Sequence, residues 1–358
     1  MKKIVALAAV MIAAVHFAPT VANAAPCASG SNSTTYSSCS GNSASASTTV
    51  TSSVTVGVAT TATESLVFER LSNLNFGKDN ISAKANGDDY KFSYSLDVDE
   101  EGKAAGDGQQ KVGVWVNFSG SRFLFDKPDS KFDGNIFTGM VGVDYALTDR
   151  YRVGLGLGYE KTDIDTTFNE GHEEAQGWTA APYVSYQYND NYSVNLSAGF
   201  SKLDYDMDRK DQLDKNTITG STDALRWFGA LNFNGNWNND NLVYGANVGT
   251  LFSHEDKDGF TEVGSGATTV GDDITEIGRV SIGGNVGYKF FDMMTPYVRA
   301  KYSYDYQDGG SDDESSVKTG LGVNFDYGSS VSAGVEANGT LKGDYKEAGG
   351  TVFLHINF

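Results

Sequence analysis

From Val112 to the last residue the chain alternates with a period of two, and the polarity of that alternation is the reverse of what a water-soluble sheet needs. In YRVGLGLGYE, Tyr151, Val153, Leu155, Leu157 and Tyr159 share one face, and Arg152, Gly154, Gly156, Gly158 and Glu160 share the other. The small or charged face cannot be a core. NYSVNLSAGFS repeats the division, with Tyr192, Val194, Leu196, Ala198 and Phe200 opposite Ser193, Asn195, Ser197, Gly199 and Ser201, and it returns in RVSIGGNVGYKF, KTGLGVNFDY and YVRAKYSYDY. A soluble sandwich would bring the apolar faces together and leave a mixed, charged exterior. A barrel in a lipid bilayer turns the apolar face outward and keeps a polar lumen. Aromatics decide between the two: Tyr145, Tyr151, Tyr188, Tyr192, Phe290, Phe325 and Tyr327 fall at the ends of the apolar faces, where interfacial girdles sit.

The alternating runs number about 12, starting near Val112, Asn135, Arg150, Ala175, Asn191, Thr222, Asn241, Glu276, Thr295, Val317, Ser330 and Ala348. The expected fold is therefore all-β, a transmembrane antiparallel barrel over residues 112–358. Arg152, Glu160, Arg226, Arg299 and Lys301 are its expected lumen-facing charges. Tight connections (LTDRY, YNDNY, NWNNDN, FDMM, DYGSS) alternate with long polar ones near 126–133, 161–174, 203–216, 254–274, 305–316 and 338–347. The long ones are expected to face outside and the short ones the periplasm. They also explain the net charge of −19, from 27 basic and 46 acidic residues, because four of them hold five or six carboxylates each. Such acidity repels phosphate backbones, so nucleic acid is not an expected partner. It serves solubility at a crowded surface, or it shares divalent cations with lipopolysaccharide phosphates.

The first residues supply the compartment. Lys2 and Lys3, an apolar run of about 15 residues and the Ala22-Asn23-Ala24 site read as a secretory signal over residues 1–24. The run falls short of the roughly 20 residues a membrane-spanning helix needs. Cys27 and Cys39 follow the signal and are candidates for one disulfide. Residues 25–60 are dominated by Ser, Thr, Ala and Gly, a composition that buries little apolar surface, and are expected to be extended and flexible. A helix is expected over 61–77, where Thr61 and Glu64 have capping-box spacing, Val67, Leu71 and Leu74 recur at helical intervals, and Gly77 can end the run. Residues 78–111 read as linker.

Over Val112 to Phe358 the chain resembles the autotransporter translocator domain of Gram-negative bacteria. The resemblance is carried by VGVWVNFSGSRF, FTGMVGVDYALTDRYRVGLGLGYEKTDID, TAAPYVSYQ, IGRVSIGGNVGYKF with MTPYVRAKYSYDY, and the terminal VFLHINF. It implies a 12-stranded outer-membrane barrel threaded by a helix, here similar to VFERLSNLNFG, with an N-terminal passenger displayed at the cell surface. The expected passenger is short, about 36 residues, and the alternative reading is a structural or channel-forming outer-membrane barrel whose acidic extracellular loops act in adhesion or surface interaction. It also implies that Val352, Leu354, Ile356 and Phe358 form the signal read by the barrel assembly machinery, with periplasmic chaperones and outer-membrane lipid as further partners. Relatives that cut themselves do so at paired asparagines, and Ser72-Asn73-Leu74 lacks the pair.

Conventional catalytic chemistry is thin. Apart from His16 in the signal, the histidines are His172, His254 and His355, the first two among acids in outer connections, where solvated residues are the plain reading. Asp97, Asp99, Glu101 and Gly102 imitate half an EF-hand loop but meet Gly108 where a glutamate belongs, and Asp204, Asp206 and Asp208 alternate simply because they share a strand face. No enzyme activity, cofactor or metal site is expected, and no surface ligand is named by the sequence.

Overall fold

The computed structural model describes residues 44–72, 111–126, 130–211, 215–290, 293–308, 314–327 and 330–358. The expected signal peptide, the cysteine pair Cys27 and Cys39, and the linker up to residue 110 lie outside the described residues. A helix, α1 (Ala44–Ser72), precedes fourteen strands: β1 (Val112–Phe125), β2 (Phe132–Ala146), β3 (Tyr151–Thr166), β4 (Gly171–Gln187), β5 (Tyr192–Lys210), β6 (Thr217–Asn239), β7 (Leu242–Lys257), β8 (Phe260–Thr261), β9 (Thr269–Val270), β10 (Asp273–Tyr288), β11 (Met294–Asp308), β12 (Ser315–Tyr327), β13 (Val331–Lys342) and β14 (Tyr345–Asn357).

Twelve of these strands close into one antiparallel barrel in sequence order, while β8 and β9 pair only with each other in the connection from β7 to β10. The seam is complete. β1 pairs β14 from Gly113↔Asn357 to Phe125↔Tyr345, and Val112 and Phe358 exchange backbone hydrogen bonds of 3.3 and 2.8 Å. No barrel edge is left to template aggregation.

The reversed polarity of the sequence is realised in three dimensions. Leu157, Leu196, Leu321 and Val352 stand more than half exposed on the outside, whereas Asn117, Ser185, Ser253 and His355 are fully buried within. Lipid is the solvent that makes this arrangement favourable. Aromatics ring the barrel at two levels. Tyr145, Tyr151, Tyr188, Tyr288, Phe325 and Tyr327 lie near the short turns, and Phe137, Trp178, Phe200, Trp227 and Tyr302 lie toward the other end, all exposed.

Two expectations are corrected. The long polar segments at 161–174, 203–216 and 338–347 are not loops for most of their length: the β-ladder continues through them, so that β5 and β6 stay paired from Tyr192↔Gly235 to Lys210↔Thr217. β6 alone is 23 residues long, against the roughly 10 a strand needs to cross a bilayer. Beyond the outer aromatic level the outward residues meet water, so the apolar half of the alternation moves to the inside, to Ile164, Leu203, Tyr205 and Ile218.

The helix is the second correction. It starts at Ala44, inside the segment expected to be flexible, and is described as far as Ser72; the expected end, with Leu74 and Gly77, lies outside the described residues. The Ser, Thr and Ala content that reads as disorder in water becomes an advantage in a lumen, where slender side chains let a helix fit. The low-dielectric surroundings also favour a conformation that satisfies its own backbone hydrogen bonds.

Candidate functional site, the helix-filled lumen

At about 1.5 Å per residue, α1 is about 43 Å long, enough to run the height of the barrel. Its direction is fixed by contacts at both ends. Near its start, Thr51 donates to Glu173 at 2.9 Å and Ser52 to Asp273 at 3.1 Å, residues at the rim of the long hairpins. Near its end, Arg70 reaches Asp144 and Asn357 at the rim of the short turns. The N-terminal end of α1 therefore points toward the long hairpins.

The C-terminal half is anchored most firmly. The guanidinium of Arg70 binds Asp144 through two hydrogen bonds of 2.7 and 2.9 Å, with both side chains fully buried. Asp144 also accepts from Arg152 at 2.5 Å and from the Tyr183 hydroxyl at 3.0 Å. Tyr183 in turn accepts from Trp115 Nε1 at 2.7 Å. A carboxylate with two guanidiniums and a phenol is well compensated, which a buried charge requires. Gly113 makes room for it, since a Cβ there would strike the Arg70 guanidinium and the Asp144 carboxylate. Above this cluster Leu66, Val67 and Leu71 pack on Trp115, Met140, Ala181, Tyr183, Phe228, Ala230 and Leu251. Asn117 Nδ2 caps the contact by donating to the Leu66 carbonyl at 2.6 Å.

Beside and above this cluster, charges on α1 meet charges on the wall. Glu69 faces Arg299 at 3.4 Å, and Arg299 also pairs with Glu336. Glu64 lies 4.0 Å from Lys301. Arg279 Nη1 donates to Thr61 at 2.7 Å while its other nitrogens hold Asp305, which also accepts from Lys342 at 2.7 Å. A bulge between Gly278 and Arg279 in the β10–β11 register puts Arg279 opposite Asp305. Arg226 bridges Glu160 and Glu255 at 2.7 and 2.8 Å within the wall itself.

The upper half of α1 is slim and held by lighter contacts. Thr60 shares a hydrogen bond with Ser253 at 3.0 Å, and Ala59, with Val54 and Val58 beside it, packs on the cluster of Phe123, Phe132, Ile136, Ile164 and Tyr345. Thr55 and Thr61 return their hydroxyls to the carbonyls one turn back, at 2.9 and 2.6 Å.

The five lumen charges expected from the alternation all face inward. Arg299 and Lys301 meet α1 directly, Arg152 meets it through Asp144, and Glu160 and Arg226 pair with each other. Arg70 of the helix finds Asp144. Asp144, Glu255, Arg279, Asp305 and Glu336 were not singled out, although the alternation that selects Arg152 also selects them. At the C-terminus Val352, Leu354 and Phe358 are exposed on the lipid face, Ile356 shares that face half-buried, and Phe353 turns inward to stack on His355 at 4.8 Å.

Known proteins resemble the chain in fold and in sequence. Residues 114–346 match the family profile described as the autotransporter beta-domain. The translocator domain of the autotransporter NalP from Neisseria meningitidis superposes with a TM-score of 0.64 at 13% identity, covering 85% of this chain and 99% of that one. The beta domain of the Bordetella autotransporter BrkA superposes with a TM-score of 0.59 at 14% identity, covering 69% of this chain and all of that one (100%). At such identities the superpositions speak to fold alone. In sequence, the uncharacterized protein YaiT of Escherichia coli K12 is 23% identical over 264 residues. That match takes in 65% of this chain and spans only 25% of YaiT.

Proposed function

The chain belongs to the autotransporter beta-domain family, whose barrels are translocators of the Gram-negative outer membrane, and from that premise we propose that it carries the segment ahead of Ala44 through its own lumen to the cell surface. The observation that carries the proposal is the direction of α1, whose start lies among the long hairpins and whose end is clamped by Arg70 at the short-turn rim. A chain that enters from the periplasm, leaves its N-terminal part outside and keeps α1 as the closing plug would end in this arrangement. The asymmetry of the contacts fits the same sequence of events. Small Ser, Thr, Ala and Val side chains in the leading half pass a narrow lumen, and the trailing half brings the charges and apolar groups that stop it. The lipid-facing C-terminal residues Val352, Leu354, Ile356 and Phe358 are the proposed signal for the barrel assembly machinery.

The test is access to an epitope tag inserted near Ser40, ahead of the helix, in intact cells and in the same cells after permeabilisation. Antibody binding and protease sensitivity on intact cells are the expected result. Binding only after permeabilisation would leave the segment in the periplasm and overturn display.

A further inference from the structure

Outside the lumen, the extended hairpins bring together side chains from neighbouring strands. The β3–β4 register sets Asp163 opposite Glu174 and Asp165 opposite His172, and the β4–β5 register continues the rows with Asp206 and Asp208. All six lie beyond Tyr159 and Trp178 of the outer aromatic level, on the outer face of the sheet, while Ile164 and Glu173 between them are buried inside.

His172 is the unusual member. Its Nδ1 lies 3.0 Å from Asp165 Oδ1 and its Nε2 lies 3.2 Å from Asp163 Oδ1. A neutral imidazole has one proton to donate, so one of the two nitrogens presents a lone pair to a carboxylate oxygen. A second positive centre relieves that opposition, either another proton or a metal ion. The position attracts positive charge. Glu174 facing Asp206 across the ladder adds like charges directly opposite each other, which costs stability unless a cation lies near.

We propose that His172 Nε2, Asp163 and Glu174 form a zinc-binding site on the outer face of the β3–β4 hairpin, with Asp165 orienting the imidazole through Nδ1. The ligand atoms of the three residues lie within 4.8 Å of one another. The 3.2 Å between Nε2 and the Asp163 oxygen already matches the edge of a tetrahedron with bonds of about 2.0 Å. Glu174 closes the remaining distance by a side-chain rotation. A carboxylate accepting the far N–H of a ligating histidine fixes its tautomer and raises its basicity, which is the part Asp165 plays. One imidazole with two carboxylates suits zinc, whereas calcium and magnesium prefer oxygen alone.

Lys161 is the competitor. Its Nζ holds Glu174 at 2.8 Å and lies 3.9 Å from Asp163. That pair is exposed and therefore weak, and the long flexible stem lets the ammonium leave when a divalent ion arrives. The three ligands are about a third or more exposed, so ions reach them from bulk solvent and the fourth position stays open to water or to a donor from another molecule.

The experiment is a titration of the purified, folded full chain in detergent with zinc chloride, read by competition with a chromophoric chelator. One saturable site is expected. Substitution His172→Gln or Asp163→Asn should abolish it or weaken it by at least about 100-fold. Asp165→Asn should weaken it by about 10-fold to 100-fold. Lys161→Met should strengthen binding, and His254→Gln, at a histidine on another hairpin, should leave it unchanged. Heat-modifiable mobility on gels serves as the check that each variant is a folded barrel. The proposal is overturned if folded His172→Gln binds zinc as the parent does, if the parent shows no saturable site, or if calcium at equal concentration displaces the zinc. The last results would leave His172 as a protonated clamp between two aspartates on an ordinary acidic surface.

Discussion

Asp144 carries more of the lumen than any residue that composition would single out. It is one carboxylate serving two guanidiniums and a tyrosine hydroxyl, so removing it strands more than removing either arginine. Losing one partner of a buried ion pair costs about 3–5 kcal/mol. Arg70→Ala is expected at the lower end, because Asp144 keeps Arg152 and Tyr183, and Asp144→Ala at the upper end. The double substitution should cost clearly less than the sum, since each single change already breaks the same bond. Urea unfolding of the refolded protein in micelles reads all three, and equal effects of the two single substitutions would mean that Asp144 is not the shared anchor. The residue scale is also where alternation is most legible. In VGVDYA the same period that sends Val143 and Tyr145 to lipid sends Gly142 and Asp144 inward, as it does Arg152 in the next strand. What alternation cannot give is the partner. Arg70 is 74 residues from Asp144, and only closure of the barrel around the helix brings them together.

At the scale of elements, the strands were legible inside the bilayer and illegible above it, for one reason. The outward face is apolar only where it meets lipid, so the pattern loses its apolar half at the outer aromatic level and the hairpin extensions read as acidic loops. The metal-ligating trio of β3 and β4 sits in that region, which is why a histidine nine residues from Asp163 looked merely solvated. The helix was half legible. Val67 and Leu71 recur at helical intervals because they meet a packed wall, whereas the stretch from Thr51 to Thr60 meets a narrow passage that asks only for slenderness. Its Thr, Ser and Val residues each cost up to about 0.7 kcal/mol of helix propensity relative to alanine. Short helices are marginal in water even with better residues. A synthetic peptide of residues 44–72 is therefore expected to show little helical circular dichroism in buffer. A strongly helical peptide would mean that α1 forms by itself and that confinement in the barrel is not what folds it.

For the molecule as a whole, barrel and helix depend on each other unequally. The barrel is closed by its own ladder, from the β1–β14 seam through every neighbouring pair, so its backbone polar groups are satisfied without α1. Much of the wall is likewise self-compensated: Arg226 has Glu160 and Glu255, Arg279 has Asp305, and Arg299 has Glu336. The helix has no such independence. Deleting residues 44–72 should consequently leave a folded barrel whose lumen is open to water, and planar-bilayer recording should find steady conductance where the parent chain is mostly closed. The ions it prefers follow from the long hairpins. Their carboxylates, among them Asp163, Asp165, Glu174, Asp206 and Asp208, stand at one mouth and concentrate cations there, while the paired charges of the wall give little net preference. A potassium chloride gradient should thus give a reversal potential of cation-selective sign, shrinking as salt rises and the acidic mouth is screened over a Debye length of about 3 Å at 1 M. Equal conductance in parent and deletion would mean that α1 does not close the lumen, and an anion-selective pore would mean that the wall, not the acidic mouth, sets the field.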